Sequence, residues 1–212
     1  MKKANLTLNS VMRGWMFMLS MILFLSFTAC GGGAATAEAD AEAETESAEE
    51  GDLSFTEEDI LALKDKFIFD EESGWYYHKH WNQASPKRRT VTADVMATGY
   101  FILTSNFYAN KGIKHSKIIA TIGDTKITSG EVKTSEDDNQ TTEDGDRVYE
   151  TIRYSNYKDN GIFQAIAQTS EDQAVNVRFV GAKSYSDAEI PKSDVDAIKD
   201  CFYLSIILRQ GL

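Results

Sequence analysis

Residues 91–128, VTADVMATGYFILTSNFYANKGIKHSKIIATIGDTKIT, contain the pattern that decides the fold. Runs rich in β-branched and aromatic residues, at 91–97 and 100–108, are bounded by Gly99 and by the stretch 110–112. Further along, KIIATI and KIT flank Gly123-Asp124, a pair typical of a tight turn between antiparallel strands. We therefore expect this region to fold as consecutive strands of an antiparallel sheet.

Strand-like runs also lie on both sides of this region. Upstream, Phe67 and Phe69 are two residues apart, the spacing of side chains on one face of a strand, and WYYHKHW follows at 75–81. Downstream, VYETIRY at 148–154 and AVNVRFVG at 174–181 have the composition of strands. Between these two runs, GIFQAIAQ at 161–168 has an ambiguous period, and we interpret it as a short helix before the last strand.

Helical signals stand at the two ends of this strand-rich segment. Thr56 is followed by acids at 57–59 and by apolar residues from Ile60, the pattern of a capped short helix. At the other end, Ser193 precedes apolar residues at helical spacing, and we expect it to cap a terminal helix. The sequence thus predicts one mainly β domain over 52–212, α+β by content. Its expected form is an antiparallel β-sandwich or open barrel flanked by a short N-terminal helix and a C-terminal helix.

The start of the chain carries a separate signal. Three basic residues and no acid occur within 1–13. The run WMFMLSMILFLSFTA at 15–29 is uncharged and almost wholly apolar, and it ends at Cys30. A basic start followed by a short apolar run is typical of an export signal. Because a membrane-spanning helix needs roughly 20 apolar residues, we interpret residues 1–29 as a signal peptide rather than a retained anchor.

The cysteine that ends the apolar run narrows the class of signal. Phe27-Thr28-Ala29-Cys30 resembles the bacterial lipobox, although Phe27 stands where leucine is usual. The resemblance implies that a diacylglycerol with palmitate-like chains is added to Cys30 and that the chain is cut just before it. The protein would then be an extracytoplasmic lipoprotein of the cell envelope, anchored to the membrane by lipid. In a Gram-negative organism that membrane would be the outer one. A general secretory signal with an incidental cysteine is the alternative.

The charge distribution divides the rest of the chain. The whole chain has a formal net charge of −11. Residues 31–51 hold seven acids and no base, and together with Cys30 they predict an acidic disordered tether over 30–51. A further acidic run, EDDNQTTEDGD, occupies 136–146. Because nucleic acids and anionic surfaces are bound by basic patches, we expect no nucleic acid as a partner.

The two cysteines argue against a disulfide framework. Lipidation would consume Cys30 and leave Cys201 without a partner. Cys201 lies in the apolar pattern of the terminal helix, so we expect it to be a buried small hydrophobic residue.

Taken together, the motifs of the domain resemble a widespread family of secreted bacterial domains whose activity is uncharacterised. The resemblance covers roughly residues 66–208 and rests on GWYYHKHW, KIIATIGDTKITSGEV, VYETIRY, GIFQAIA, VRFVGAKSY and the terminal SDVDAIKDCFYLS. It implies a single β-rich domain and assigns no catalytic residue. The acidic run 136–146 departs from the pattern, and we expect it to form a mobile solvated surface loop.

The sequence contains few residues that could act as catalytic groups or metal ligands. The chain has no G-x-S-x-G, H-E-x-x-H or C-x-x-C, and only three histidines. His78 and His80 are two apart on an expected strand, so they could bind a metal if His115 or a carboxylate supplied a third ligand. Solvated histidines are the interpretation that we favour, and we therefore predict no catalytic residue, no metal and no cofactor.

The aromatic run 75–81 is the place where a ligand site is expected. In a regular strand, Trp75, Tyr77, Lys79 and Trp81 share one face, and Tyr76, His78 and His80 share the other. Burying the first face gains two tryptophans and a tyrosine, so we predict Trp75 and Tyr77 in the core and the second face toward solvent. The candidate ligand-binding residues are Tyr76, His78, His80 and Trp81.

Two classes of function remain open from the sequence. The first is a non-catalytic interaction module that binds a protein, peptide or glycan at the cell envelope. The second is an envelope hydrolase without a recognisable signature. A cleft that holds two carboxylates with perturbed pKa values would favour the hydrolase. An aromatic ligand surface without such a cleft would favour the binding module.

The lipid anchor is tested by the substitution Cys30→Ala. We expect the variant to remain an unlipidated precursor, because the acceptor thiol is gone. Incorporation of radiolabelled fatty acid into the protein measures this directly. Normal labelling and processing of the variant would contradict the lipoprotein assignment.

Overall fold

A computed structural model of the chain describes residues 54–81 and 86–212. The predicted signal peptide at 1–29, the lipidation site Cys30 and the tether at 30–51 lie outside the described residues. Among the described residues, three helices are present: α1 (Glu57–Lys64), α2 (Ile162–Ala167) and α3 (Lys192–Gln210). Ten strands are described: β1 (Phe67–Asp70), β2 (Trp75–His78), β3 (Thr90–Met96), β4 (Phe101–Ala109), β5 (His115–Ile122), β6 (Thr125–Thr128), β7 (Asn139–Asp144), β8 (Arg147–Tyr154), β9 (Val175–Gly181) and β10 (Tyr185–Glu189).

The strands form two antiparallel sheets. One has six strands in the order β1-β2-β3-β4-β8-β7, and the other has four in the order β10-β9-β5-β6. Apolar side chains of both sheets meet in one core, where the Phe107 and Phe179 rings lie 5.7 Å apart. The prediction of a mainly β, sandwich-like domain with terminal helices is confirmed, and the sheets do not close into a barrel.

Helix α3 completes the core by packing along β3. Alternate β3 residues Val91, Ala93 and Val95 are fully buried, as are Ile198 and Leu204 of the helix. The buried thiol of Cys201 donates to the backbone carbonyl oxygen of Ala93 at 3.3 Å, which confirms the expectation of a buried cysteine. Burial raises the pKa of this thiol well above its usual range, so the thiol stays protonated.

Local signals are mostly confirmed. Thr56 and Asp59 form the reciprocal capping box at the start of α1. Gly123, in the left-handed region at φ 57°, lies in the turn that joins β5 to β6. The expected cap at Ser193 is wrong, because α3 begins at Lys192 and the extended residue before it is Pro191. Proline disfavours the helical conformation in the residue before it, and the helix begins directly after Pro191, two residues earlier than a Ser193 cap would start it.

The acidic run 136–146 is not the solvated loop that the sequence predicts. Residues Asn139–Asp144 form the edge strand β7, which pairs with β8 over six positions. The Asn139 side-chain amide donates to the carbonyl oxygens of His115 and Val132 and so anchors the strand. Charge on a sheet edge is compatible with pairing on the other side and discourages association with further strands.

Besides β7, a second strand was not predicted from the sequence. Tyr185–Glu189 forms β10, which pairs with β9 at the edge of the smaller sheet. Its composition is polar because both faces are at least partly open to solvent. A bidentate ion pair between Arg178 and Asp187, at 2.7 and 3.0 Å, joins the two strands. No helix formed by residues 54–81 and 86–212 is long and apolar enough to cross a membrane.

The packing of α3 is tested with two leucines, both on helices. Leu204 is fully buried in α3, whereas Leu61 of α1 is 63% exposed. We expect Leu204→Ala to lower the free energy of unfolding by about 2–5 kcal/mol, because it leaves a cavity in the core. Leu61→Ala should cost less than about 0.5 kcal/mol. Urea unfolding measures both, and equal effects of the two substitutions would contradict this packing.

Candidate functional site

A groove on the outer face of the six-stranded sheet brings polar and aromatic side chains together. We call it the outer groove, and its volume is about 390 Å³. Such a volume lies within the usual range for small-ligand sites. The groove is lined by Tyr77, His78, Trp81, Pro86, Thr92, Asp94, Thr104, Gln140, Thr142, Tyr149, Thr151 and Arg153.

The floor of the outer groove follows from strand alternation. Because Val91, Ala93 and Val95 point into the core, the β3 residues between them point outward. Strand pairing places Thr92 opposite Thr104, and Thr104 opposite Arg153, so these three residues form one row across β3, β4 and β8. Asp94 lies two residues from Thr92 on the same face.

A hydrogen-bond chain stiffens the far side of the floor. The Tyr149 hydroxyl donates to Asn106 Oδ1 at 2.6 Å, and Asn106 Nδ2 donates to Thr92 Oγ1 at 3.2 Å. Asn106 is fully buried beneath the surface. Tyr149 and Thr92 are therefore held in fixed positions, since each shares a buried partner.

The near wall exists because β2 pairs with β3 over only two positions. Trp75 lies opposite Met96 and Tyr76 opposite Val95, after which the two strands separate. The chain then turns, with the Trp81 backbone N–H donating to the carbonyl of His78 at 3.0 Å. Tyr77, His78 and Trp81 line the groove beside this gap.

The predicted strand over 75–81 is too long, and its two faces are reversed over 75–78, whereas Trp81 is buried and His80 exposed as predicted. Strand β2 ends at His78, and Tyr76 packs against the core, whereas Trp75 and Tyr77 are half-buried on the outer face. His78, predicted toward solvent, is only 8% exposed and lies opposite Phe67. The prediction followed from the free-energy cost of burying the His78 imidazole without a hydrogen-bond partner. The carboxylate of Asp200 offsets that cost in the folded chain.

Both histidines of the run contact carboxylates of α3. His78 Nδ1 accepts from the backbone N–H of His80 at 3.1 Å, so the proton of a neutral His78 ring lies on Nε2, 3.1 Å from Asp200 Oδ2. His80, which is exposed as expected, has Nε2 2.6 Å from Asp194 Oδ1. With its ring nitrogens engaged, His78 is a poor metal ligand. Among the described residues, no group of three or more His, Cys, Asp or Glu is arranged to hold a metal ion.

Asp194 also holds the segment that follows the gap. It is fully buried and accepts hydrogen bonds from Arg88 Nη2 and from the Thr90 hydroxyl, both at 2.5 Å. Burial raises the pKa of this carboxyl, but Arg88, Thr90 and His80 together outweigh burial and leave it below its usual value. Asp194 therefore stays ionised and fixes three residues around the entrance of β3.

Two polar groups in the outer groove lack partners. Trp81 is 8% exposed, yet its Nε1–H has no hydrogen-bond partner among the described residues. Among the residues that the structure describes, none makes a hydrogen bond or ion pair with the Asp94 carboxylate. Burial raises the pKa of Asp94 from 3.8 to about 6, although the charge of Arg153 acts in the opposite direction. Trp81 Nε1 is buried and Asp94 is half-buried, and polar groups without partners in such settings are costly and tend to cluster where a ligand is bound.

A second arrangement resembles a hydrolase triad. Ser105 Oγ lies 2.9 Å from His115 Nε2, and His115 Nδ1 lies 2.9 Å from Glu150 Oε2. Each of the three residues is at most 1% exposed, and Ser105 Oγ is also 3.1 Å from the Tyr154 hydroxyl. Burial raises the pKa of Glu150, but hydrogen bonds from His115 and from the Lys114 backbone outweigh it. A nucleophile must reach its substrate, so this network is structural and joins β4 and β8 to β5 of the other sheet.

Of the four candidate ligand-binding residues, His78 and Trp81 line the outer groove, whereas Tyr76 and His80 do not. Sequence reasoning missed the floor of the groove. Asp94 offered a signal, since an acid within the apolar run VTADVM is unusual for a strand. Thr104 and Arg153 offered none, because only strand pairing brings them beside Asp94.

The unmatched carboxylate is tested by Asp94→Asn. The folded-state pKa lies above the usual value, so ionisation costs stability progressively as the pH rises from 3.8 toward about 6. We expect the variant to match the parent at about pH 3 and to exceed it by about 1–2 kcal/mol at neutral pH. Urea unfolding at both pH values measures the difference.

Asp124→Asn, in the exposed β5–β6 turn, is the matched control and should show no such dependence on pH. Equal stability of Asp94→Asn and the parent at neutral pH would mean that Asp94 carries no unmatched charge.

Comparison with protein-family models, with curated proteins and with solved structures finds no match to this chain.

Proposed function

We propose that the protein is a lipid-anchored, extracytoplasmic binding module that holds its ligand in the outer groove without transforming it. In this proposal Cys30 carries the diacylglycerol, and the acidic tether at 30–51 gives the domain reach from the membrane. For about 22 residues a flexible chain has a root-mean-square span of roughly 25 Å, and like charges extend it further. The ligand is an envelope protein, peptide or glycan.

The observation that carries this proposal is the lining of the outer groove. Aromatic rings of Tyr77, Trp81 and Tyr149 stand around a polar floor that contains one carboxylate, Asp94. Hydrolysis by acid and base requires two titratable groups placed across the scissile bond. His78 also lines the groove, but its two ring nitrogens are engaged by Asp200 and by the His80 backbone N–H, so Asp94 has no free partner for acid–base catalysis and the lining suits recognition better than bond cleavage.

The alternative, an envelope hydrolase, has one observation in its favour. Ser105, His115 and Glu150 have the order and spacing of a triad. Their burial in the core argues against this role, because substrate would have to displace packed side chains of both sheets. We therefore keep binding as the proposed function.

We do not include the basic run 87–89 in the proposal as a nucleic-acid surface. Lys87 pairs with Asp144 at 3.0 Å, Arg88 with Asp194 at 2.5 Å, and Arg89 donates to Ser186 Oγ at 2.8 Å. These contacts use the positive charges within the protein, which is acidic overall. The absence of nucleic acid from the proposed partners follows from this balance.

The proposal is tested by obstructing the outer groove from its rim. Thr142 and Thr141 are adjacent exposed residues of β7, and only Thr142 lines the groove. We expect Thr142→Trp to abolish binding that Thr141→Trp leaves unchanged. The full chain, solubilised in a detergent with a polyoxyethylene headgroup, is applied to arrays of neutral oligosaccharides, anionic polysaccharides and peptides.

The bound ligand should be recovered intact after prolonged incubation. Two outcomes would contradict the proposal: binding of every ligand class unaffected by Thr142→Trp, or cleavage of the ligand that the same substitution abolishes.

A further inference from the structure

We propose that the ligand of the outer groove is an uncharged oligosaccharide, whose hydroxyl groups donate to the Asp94 carboxylate and accept from Trp81 Nε1–H. This inference rests on the proposed function and specifies the ligand class. It is argued from the unmatched hydrogen-bonding groups of the groove, its balance of charge, its aromatic lining and its position on a sheet face.

The unmatched groups require a ligand that both donates and accepts hydrogen bonds. Asp94 offers only acceptors when ionised, and Trp81 Nε1–H is only a donor. A hydroxyl group satisfies either partner because it donates one hydrogen bond and accepts others. A ligand with several hydroxyl groups on a small rigid frame matches both groups at once, which an aliphatic or aromatic ligand does not.

The charges of the groove favour a neutral ligand. Asp94 and Arg153 carry opposite charges and both line the groove. Arg153 makes no ion pair within residues 54–81 and 86–212, and its guanidinium carbon lies 6.0 Å from the Trp75 ring centroid. An anionic ligand would be attracted by Arg153 and repelled by Asp94, and a cationic ligand would be attracted by Asp94 and repelled by Arg153. An uncharged ligand hydrogen-bonds to both.

The remaining lining suits the two kinds of surface that a sugar presents. Tyr77, Trp81 and Tyr149 supply apolar ring surface for C–H groups. Four hydroxyl groups that can donate or accept come from Thr92, Thr104, Thr142 and Thr151. The Tyr149 ring and the Thr92 hydroxyl are held by buried Asn106, so part of this surface is preorganised.

A peptide fits this surface less well. Extended peptides gain affinity by adding a strand to a free sheet edge, where backbone groups are unpaired. The floor of the outer groove lies on β4 and β8, whose backbone groups are paired on both sides, and on β3, which is paired with β2 only at Val95 and Met96. A peptide backbone over β4 and β8 would find few partners, and only the edge of β3 beside the gap offers backbone groups, whereas hydroxyl groups find side chains across the whole floor.

The test uses two groove substitutions, two matched controls and the groove-blocking Thr142→Trp in the full chain, again in a polyoxyethylene detergent so that no sugar headgroup competes. The probes are pentasaccharides of glucose, mannose and N-acetylglucosamine, with a galacturonic acid pentasaccharide and an unstructured peptide as the charged and peptide arms. Titration calorimetry gives the affinity for each probe. We expect at least one neutral pentasaccharide to bind, and the galacturonic acid and peptide probes to bind at least tenfold more weakly.

Asp94→Asn should weaken the affinity for the neutral pentasaccharide by about tenfold or more, because the amide replaces one acceptor oxygen with a donor. Trp81→Phe should weaken this affinity about fivefold, because the substitution removes the N–H donor and keeps an aromatic ring. The matched controls Asp124→Asn and Tyr185→Phe, both exposed positions outside the groove lining, should leave affinity unchanged.

The outcomes separate this inference from the proposed function. If no neutral pentasaccharide binds, or if binding survives both Asp94→Asn and Trp81→Phe, the saccharide inference is wrong. If the peptide or the acidic sugar binds instead and Thr142→Trp abolishes that binding, the groove remains the ligand site and only the ligand class is overturned.

Discussion

Helix α3 packs along the inner face of β3, and its two buried or half-buried carboxylates hold the chain on either side of the gap between β2 and β3. Asp200 contacts His78 at the end of β2, and Asp194 contacts Arg88 and Thr90 at the start of β3. Because both ends of this connection are fixed to one rigid helix, β2 and β3 stay apart after two paired positions. Trp81 enters the space that results, and the outer groove has an aromatic wall. Without the helix, the gap between the end of β2 and the start of β3 would have no fixed width.

Two carboxylates of the six-stranded sheet, Glu150 fully buried and Asp94 half-buried, differ in whether the protein supplies them with hydrogen-bond partners. Glu150 accepts from the His115 ring and from two backbone N–H groups, so its burial is fully compensated and its pKa lies below the usual value. Asp94 has no such partners in the described chain, and burial leaves its pKa raised to about 6. A protein selected for stability alone would replace Asp94 with an apolar or neutral side chain. The contrast is therefore the physical basis for placing the ligand at Asp94 and the structural role at Glu150.

The sequence predicts most helices and strands of the domain but few of the contacts between them. Alternation and turn residues locate β3, β4, β5, β8 and β9, because those signals are local. The strand β7 was missed, since pairing with β8 and the Asn139 side chain overcome a composition typical of loops. The facing of 75–81 was inverted because the partner that compensates His78 lies 122 residues away on α3. The same limit applies to the floor of the groove, where Asp94, Thr104 and Arg153 come from three strands. Local patterns carry no information on such contacts.

The most direct test of the outer groove as a ligand site is the indole N–H resonance of Trp81, assigned as the signal that disappears in Trp81→Phe. In the free protein this N–H has no acceptor among the described residues. A bound neutral oligosaccharide should supply one, so the proton resonance is expected to move downfield and its exchange with water to slow as the pentasaccharide is added. If the sugar binds with the affinity measured by calorimetry and the Trp81 resonance does not move, the ligand lies elsewhere and this account of the groove is wrong.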